Sequence, residues 1–293
     1  MKKFIVLVSA ALLSMGIASA QDFEKATNTA KEANEALGNK DFKAAIEGFK
    51  SALAEAKQCT EEEAAALIEN CKKGVVMAQN AYANSLISEN KLEEAIAELA
   101  TTAKVAVENE EEEVAQKAEE KIDQLHQAIA NAKMKAASAA ADAAGKAAAY
   151  KEALEHLDVL LQKDETQGKV VLQKGQVLSA LGQKEAAIEA FEKAATLGQE
   201  AAANKQLSTI YLKDANALNK AQKYKEAVAA AVKSAEYAPS ANAYKIAGIA
   251  SQKAGDIKTA VENLEKYLGI SPNAADAAQI KAAVDALKAQ LKK

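Results

Sequence analysis

The chain has 293 residues, of which 49% are hydrophobic and only 4% aromatic, and it contains no Trp. Glycine (12 residues) and proline (2 residues) are scarce. Strands and their tight turns therefore have few starting signals, and the composition predicts an all-α protein. With 37 basic and 41 acidic residues the formal charge is −4. A mildly acidic chain of this kind argues against nucleic acid as a partner.

The amino-terminal segment MKKFIVLVSAALLSMGIASA begins with Lys2 and Lys3, continues as an apolar run and ends with the small residues Ala18 and Ala20. This pattern predicts a signal peptide over residues 1–20, removed after Ala20. A membrane anchor is the weaker alternative, because the apolar run is shorter than the ~20 residues that a spanning helix needs. We therefore expect an exported chain, periplasmic or secreted, whose mature part is not inserted in a membrane.

Two cysteines, Cys59 and Cys71, fall in the part that would be exported, where an oxidising compartment favours a disulfide. Between them Thr60 and Glu63 form a capping-box pattern. A helix that starts there would place Cys71 about 16 Å along its axis, whereas a disulfide needs a Cα separation below roughly 7 Å. A bond thus requires a looped segment over 60–66. The sequence leaves open both the disulfide and its alternative, two partly buried thiols.

When the sequence is aligned with itself so that Pro239 matches Pro272, other positions of the chain also match. The same shift aligns Tyr211 with Tyr244, Ala215 with Gly248, Ala227 with Ala260 and Val228 with Val261. A period of this length is typical of a repeated helical hairpin. Each hairpin is predicted to have a first helix with an aromatic residue and a small residue four positions later, then a polar turn such as Ala254–Asp256. A second helix follows and ends before the proline, which cannot continue the helical hydrogen-bond ladder.

Alanines of the second-helix pattern recur along most of the chain, at Ala45, Ala95, Ala153, Ala187, Ala227 and Ala260. Their intervals are irregular in the amino-terminal half and shorter after Ala153. The stretches 61–89 and 110–148 contain no proline and little glycine, which predicts extended helices rather than loops. The Ala-rich stretch Met134–Tyr150 is predicted to be a helix pressed close to its neighbours, with Gly145 as a possible kink.

These positions resemble the tetratricopeptide repeat (TPR), a helical hairpin of about 34 residues. The best match consists of Tyr244, Gly248, Gly255, Ile257, Ala260, Leu264 and Pro272, and an earlier unit offers Gly175, Leu178, Gly182, Ala187, Phe191 and Ala194. Departures also occur, since Lys184 replaces the second-helix aromatic residue while Lys174 and Asp214 replace the usual Leu.

The resemblance implies an α-solenoid of stacked antiparallel hairpins. Irregular hairpins with long first helices are expected over 21–149 and regular repeats over 150–271. A capping helix is expected over 272–293, with an apolar stripe formed by Ile280, Val284, Leu287 and Leu291.

In this family the first helices line a groove that holds an extended peptide or a partner helix. Carried over to this sequence, the resemblance implies partner-binding residues at Lys169, Gln176, Ser179, Lys213, Asn216, Asn219, Lys245 and Gln252. The mixture of Lys and Asn is similar to the clamps that some members use for a peptide carboxylate.

Other chemistry has little support in the sequence. The acidic run over 110–113 suits the positive end of a helix dipole better than a cation site. His126, near Glu119 and Asp123, and the second histidine, His156, are expected to be packing residues rather than metal ligands. No nucleophile, phosphate-binding loop or metal motif is recognisable, so we expect no catalysis, cofactor or metal.

Two functions remain. The first is an exported scaffold that binds a protein or peptide through its first helices. The alternative is a structural envelope protein that forms homo-oligomers through its long amino-terminal helices.

Overall fold

A computed structural model describes residues 17–59 and 62–292 of the chain. Within those ranges all regular structure is helical, which confirms the all-α prediction. The helices are α1 (Ile17–Gly38), α2 (Phe42–Ala56), α3 (Glu62–Ser88), α4 (Leu92–Glu108), α5 (Glu112–Ala139), α6 (Ala143–Lys163), α7 (Gly168–Ala180), α8 (Lys184–Ala194), α9 (Glu200–Lys220), α10 (Tyr224–Tyr237), α11 (Ala241–Lys253), α12 (Ile257–Ile270) and α13 (Ala277–Leu291).

The amino-terminal prediction falls mostly outside the described residues. Only Ile17 to Ala20 of the predicted signal peptide is described, and there α1 runs on past the expected cleavage position to Gly38. Thr60 of the predicted capping box also lies outside the described residues. In the described part of the chain, no helix combines the length and the apolarity needed to cross a membrane.

The chain divides into two compact units, residues 1–129 and 130–293. The division falls within α5, earlier than residue 150, where the regular repeats are predicted to begin. In the second unit consecutive helices pair as hairpins, α7 with α8, α9 with α10 and α11 with α12, and α13 packs on the last of them. This is the stacked-hairpin arrangement of an α-solenoid.

One kind of turn joins helices at six places. Each turn has one residue with φ between 59° and 83°: Lys40, Asn90, Glu110, Gly182, Gln222 and Gly255. The next residue's N–H then donates to a carbonyl five residues earlier, as Asp256 N does to Ser251 O at 2.9 Å and Lys223 N does to Leu218 O at 2.9 Å. This Schellman bond satisfies a carbonyl at the helix end. Four of the six turns have a residue other than glycine at this position. Only the turns at Gly182 and Gly255 could therefore be recognised from the sequence.

The six alanines of the second-helix pattern lie on α2, α4, α6, α8, α10 and α12, and each has no solvent-exposed surface. Small residues also mark the closest helix approaches. A Cβ atom added to Gly248 would lie 2.5 Å from Leu264 Cγ, and one added to Gly175 would lie 2.7 Å from Phe191 Cδ1. In both hairpins a glycine of the first helix therefore packs against a bulky residue of the second.

The prolines stand where second helices stop. Helix α10 ends at Tyr237 and α12 ends at Ile270, each two residues before a proline. After Pro239, Ser240 caps α11 by accepting a hydrogen bond from Ala243 N. The interval from Ala187 to Ala227 is longer than the next one because of a longer first helix, since α9 has 21 residues whereas α7 and α11 have 13 each.

The predicted capping helix is α13, which begins at Ala277 and not at Asn273. Its Ile280, Val284 and Leu287 pack against α12. Leu291, the last position of the predicted stripe, is 52% exposed and lies outside this core. The buried face of the capping helix is therefore one turn shorter than the sequence pattern predicted.

The long stretches of the amino-terminal half form helices, as α3 has 27 residues and α5 has 28. The prediction of a single packed helix over Met134–Tyr150 is wrong. Helix α5 ends at Ala139, and α6 begins after Asp142, whose carboxylate accepts the Gly145 N–H at 2.7 Å. The Asp142 cap competes successfully with continuation of the helix. Residues 141–146 are also exposed, so this part of the stretch is not packed against neighbouring helices.

Cys59 and Cys71 are thiols in this structure and not a disulfide. Helix α3 includes all residues from Glu62 to Cys71, so most of the loop that a bond would require is absent. The Cys59 thiol donates to Glu55 O at 3.5 Å. Cys71 is buried in the first unit, and that burial raises the pKa of its thiol to about 11, which keeps it protonated and unreactive at neutral pH.

Candidate functional site

The first helices of the second unit lie next to one another, with α7 in contact with α9 and α9 in contact with α11. All eight predicted partner-binding residues are on these three helices. We call them the first-helix face: Lys169, Gln176, Ser179, Lys213, Asn216, Asn219, Lys245 and Gln252. These residues therefore lie on adjacent helices, but not all of their side chains are exposed and free to bind a partner.

Five members of the first-helix face have polar groups available to a partner. Lys169, Ser179, Lys213 and Gln252 are exposed and Gln176 is half-buried. Within residues 17–59 and 62–292 none of the five forms a side-chain hydrogen bond or an ion pair. Binding a partner through them would break no bond inside the protein.

The other three members are already engaged or buried. Asn216 donates from its side-chain amide to Leu212 O of its own helix at 2.9 Å. The Asn219 Oδ1 atom is buried without a hydrogen-bond partner. Lys245 forms an ion pair with Asp276, the residue before α13, and its Nζ lies 5.6 Å from the centre of the Tyr267 ring. Lys245 therefore joins α11 to the carboxyl-terminal cap.

The polar departures from the TPR pattern are paired with one another or with a neighbour. Lys184 of α8 and Asp214 of α9 form an ion pair at 3.0 Å, and this hydrogen bond raises the pKa of Lys184. Lys174 of α7 pairs with Asp158 of α6 at 2.7 Å. Each pair links consecutive elements at a place where the family pattern has an apolar contact.

A second concave surface lies among α6, α7 and α8. It is an open groove of about 710 Å³. We call it the second-helix groove and define its apolar lining as Leu154, Leu161, Val171, Leu178, Ala186 and Ala190. Charged pairs form its rim, Lys174 with Asp158 and Lys193 with Glu165, the latter at 2.9 Å. The resemblance to the tetratricopeptide repeat pointed to polar residues of first helices and therefore did not indicate this groove, whose lining is mainly apolar and is shared by α6, α7 and α8.

The two histidines are half-buried on helices, His126 on α5 and His156 on α6. Among the described residues no group of three or more His, Cys, Asp and Glu side chains is arranged to hold a metal ion. Of the predicted acidic run over 110–113, the first two residues form the turn before α5 and the last two form its first turn.

No protein-family model and no curated protein matches the sequence. The chain is similar to three solved structures among others. MamA residues 41 to the end from Desulfovibrio magneticus RS-1 is 19% identical, with 58% of this chain and 97% of that chain covered and a TM-score of 0.34. YrrB, described as a TPR protein with an unusual peptide-binding site, is 21% identical, with coverages of 76% and 98% and a TM-score of 0.33. The TPR2AB domain of yeast Sti1, in complex with pHSP90, is 17% identical, with coverages of 92% and 99% and a TM-score of 0.30.

The repeat itself identifies the fold, through the positions that recur from hairpin to hairpin. The buried alanine of each second helix is present in all six of them. Where the repeat is most regular, Gly175 packs against Phe191 and Gly248 against Leu264. These hairpins, their turns and the capping helix form an α-solenoid, the fold that the resemblance to the tetratricopeptide repeat implies.

Proposed function

We propose that this chain is a protein-interaction scaffold that binds a peptide or a partner helix across the first-helix face. The observation that carries the proposal is the row formed by α7, α9 and α11, with five polar side chains that have no partner within the described part of the chain. Polar groups on a rigid helical backbone that are not used internally can bond to a ligand without first breaking a bond inside the protein.

The chemistry of the face indicates the kind of partner. Lys169 and Lys213 supply two ammonium groups, and the amides of Gln176 and Gln252 can donate to or accept from a peptide backbone. A carboxylate, from an acidic side chain or a chain terminus, would form charge-assisted hydrogen bonds with the lysines. We therefore propose a partner segment that is extended or helical and carries negative charge.

The experiment compares two double variants of the mature chain. Lys169→Glu with Lys213→Glu reverses both charges of the face, whereas Lys225→Glu with Lys258→Glu makes the same change in net charge on exposed lysines of the second helices α10 and α12. Proteins captured from cell-envelope extract are identified by mass spectrometry. We expect partners bound by the wild type to be lost from the first variant and retained by the second.

Lys245 is left unchanged in this test because its charge pairs with Asp276. Capture of the same partners by both double variants would contradict binding through the first-helix face.

We also propose that the chain is exported to the cell envelope or beyond. The support is in the sequence, in the two amino-terminal lysines, the apolar run and the small residues Ala18 and Ala20. Amino-terminal sequencing of the protein from fractionated host cells tests this. We expect a mature chain that starts at Gln21 in the exported fraction; an intact Met1 terminus in the cytoplasmic fraction would refute it.

A second candidate function is self-association through the first unit. Val107 is 61% exposed, and Met77 is 38% exposed in a groove of about 570 Å³ between α3 and α5. Exposed apolar residues mark an association surface when they are contiguous, so this candidate requires Met77 and Val107 to contact the same second copy. Light scattering of the full chain and of Met77→Lys with Val107→Lys tests it, with Val159→Lys as the control. We expect an oligomer that only the double variant dissociates, and a monomeric wild type would end this candidate.

A further inference from the structure

The second-helix groove differs from the corresponding places in the next two repeats. Helices α6, α7 and α8 surround it as α8, α9 and α10 surround the next position along the stack. The sequence intervals that separate the buried alanines Ala187, Ala227 and Ala260 identify equivalent positions in successive repeats. At these intervals Val171 of the groove corresponds to Tyr211 and Tyr244. The open groove therefore lies where the other two repeats carry an aromatic ring.

The next repeat shows how such a ring is held. The ring of Tyr211 stacks on that of Tyr237, with the centroids 5.7 Å apart and the planes 8° from parallel. Lys233 lies over the Tyr211 ring with its Nζ 4.6 Å from the centroid. The hydroxyl of Tyr237 donates to the Glu192 carboxylate at 2.9 Å. Stacking and a cation over the ring face stabilise the Tyr211 ring, while the Glu192 carboxylate holds the hydroxyl of its stacking partner, Tyr237.

In the last repeat a lysine also covers the equivalent tyrosine ring. Lys266 lies over Tyr244 with its Nζ 5.5 Å from the ring centroid. The residue equivalent to Lys233 and Lys266 at the second-helix groove is Lys193. Lys193 has no ring to cover and pairs with Glu165 instead. The groove therefore has the lysine of the aromatic site without its ring.

A carboxylate equivalent to Glu192 also lines the groove. Asp158 precedes Glu192 by the same interval that separates the buried alanines Ala153 and Ala187. Asp158 lines the groove beside the apolar surface of Leu154 and Leu161. An apolar floor, a lysine at the rim and an acceptor thus converge on a space that no side chain of this repeat fills.

We propose that the second-helix groove binds a tyrosine side chain presented by a partner peptide. The ring occupies the volume left by Val171, Lys193 turns from Glu165 to cover the ring face, and the phenol hydroxyl donates to Asp158. When Lys193 turns, the carboxylate of Glu165 loses its ion-pair partner, and Glu189 adds a second negative charge at the rim. The partner's tyrosine is accordingly flanked by lysine or arginine, which replaces that charge.

This site is separate from the first-helix face. Of its six apolar lining residues, only Val171 and Leu178 are on α7, and neither belongs to the first-helix face. Charge reversal of Lys169 and Lys213 leaves the groove intact, so failure of one binding proposal does not decide the other.

The test uses the full chain and two short peptides, acetyl-Gly-Lys-Tyr-Lys-Gly-amide and its counterpart with Leu in place of Tyr. Binding is followed by NMR through the methyl groups of Leu154, Leu161, Val171 and Leu178. We expect the tyrosine peptide to bind roughly tenfold more tightly than the leucine peptide, the size of effect that aromatic and cation–π contacts give. Equal affinity for the two peptides would overturn the proposal.

Val171→Tyr copies the other two repeats and fills the groove from within. We expect it to raise the melting temperature and to weaken binding of the tyrosine peptide at least roughly tenfold. Val159→Tyr is the matched control, since Val159 is on α6, is 43% exposed and does not line the groove; its affinity should equal that of the wild type. Unchanged binding by Val171→Tyr would overturn the proposal.

Lys193→Met gives a second, independent test should Val171→Tyr fail to fold. It keeps the length of the side chain and removes the charge, so the preference for tyrosine over leucine should fall severalfold. A preference identical to that of the wild type would overturn the role of Lys193 and with it the proposal. If the wild type is a dimer without any peptide and Val171→Tyr is a monomer, the groove binds a second copy of the chain. That result would overturn the proposal that it binds a partner peptide.

Discussion

The hairpins α7/α8 and α11/α12 share one framework but present different surfaces. In both, a glycine of the first helix packs against a bulky buried residue of the second, and a left-handed glycine forms the turn. Beyond this framework they diverge. Hairpin α7/α8 borders the open second-helix groove, whereas α13 packs on α11/α12 and the Tyr267, Asp276 and Lys245 side chains are joined there.

The difference shows that two sets of residues do separate tasks. Glycine, alanine and the buried bulky residues set how closely the two helices of a hairpin approach. Hairpins α7/α8 and α11/α12 share this set, whereas α9/α10 has Ala215 and Ala231 at the equivalent positions. The residues between them decide whether the surface stays open or is covered. At the surface the hairpins differ at Val171 against Tyr244, while the glycine contact beneath is present in both.

The strongest way to break the shared framework is to remove its bulky residues. Phe191 has no exposed surface and Leu264 is 1% exposed. We expect Phe191→Ala to lower the free energy of unfolding by about 3–5 kcal/mol and Leu264→Ala by about 2–5 kcal/mol, because each leaves a cavity in a closed core. Chemical denaturation measures both. Ile270→Ala is the control: Ile270 is 49% exposed, and its loss should cost no more than about 0.5 kcal/mol. Equal effects at all three positions would contradict a shared framework.

A smaller change to the same framework is to add one methyl group at each glycine. A Cβ at Gly175 would lie 2.7 Å from Phe191 and one at Gly248 would lie 2.5 Å from Leu264. We expect Gly175→Ala and Gly248→Ala each to destabilise the fold by about 1–3 kcal/mol, since neither buried partner has space to retreat.

Gly269 supplies the matched control on α12, where an added Cβ would meet nothing within 4 Å. There alanine should stabilise by about 0.4–1 kcal/mol, because it restricts the unfolded chain without a clash. Thermal denaturation of the three variants should therefore give two decreases and one increase; destabilisation by Gly269→Ala would show that helix packing is not the cause.

The contrast between open and filled grooves can be reversed at the next repeat. Tyr211→Val removes the ring that stacks on Tyr237 and lies under Lys233. We expect a loss of roughly 1–2 kcal/mol, because Tyr211 is only partly buried and the stacked pair contributes part of that amount. The variant should also gain a second site for the tyrosine peptide, measurable as a doubled stoichiometry. A stable variant with one site would mean that the ring does not close the second position.

The framework is the part that the sequence predicted well. The intervals between Ala187, Ala227 and Ala260 predicted the second helices correctly. A close contact between helices admits almost no residue other than a small one, so the spacing of these alanines can be read directly from the sequence. The prolines predicted helix ends for a similar reason. Helix ends set by side-chain caps were less visible: Asp142 ended the expected Ala-rich helix through one hydrogen bond that depends on local geometry.

The candidate site was only partly predictable. Exposed polar positions such as Lys169 and Lys213 follow from helical periodicity. Nothing in the sequence pattern showed that Lys245 is paired with Asp276, because the two residues are far apart in the chain and meet only when the cap folds back. The second-helix groove was not predicted for a different reason: the sequence intervals place Val171 opposite Tyr211 and Tyr244, but the groove itself is formed by side chains from three helices that meet only in the fold.

The smallest expected effect concerns the cap of hairpin α11/α12 and its pH dependence. Asp276 accepts hydrogen bonds from Lys245 first and from the Tyr267 hydroxyl second, and these bonds hold the pKa of its carboxyl below its usual range. A carboxyl with a lowered folded-state pKa stabilises the fold above its unfolded pKa of about 3.9, and this stabilisation is lost as the pH falls through the folded-state value.

Lys245→Met removes the larger of the two causes, so the variant should melt below the wild type near neutral pH and approach it as the pH falls below the unfolded pKa of about 3.9 and Asp276 becomes protonated in both. Lys281→Met, at an exposed lysine of α13, should keep the acid slope of the wild type. Melting temperatures across about pH 2.5 to 7 decide the matter. A constant offset between Lys245→Met and the wild type would mean that Lys245 acts on α11 packing and not through Asp276, and would remove the electrostatic part of the difference between the two hairpins.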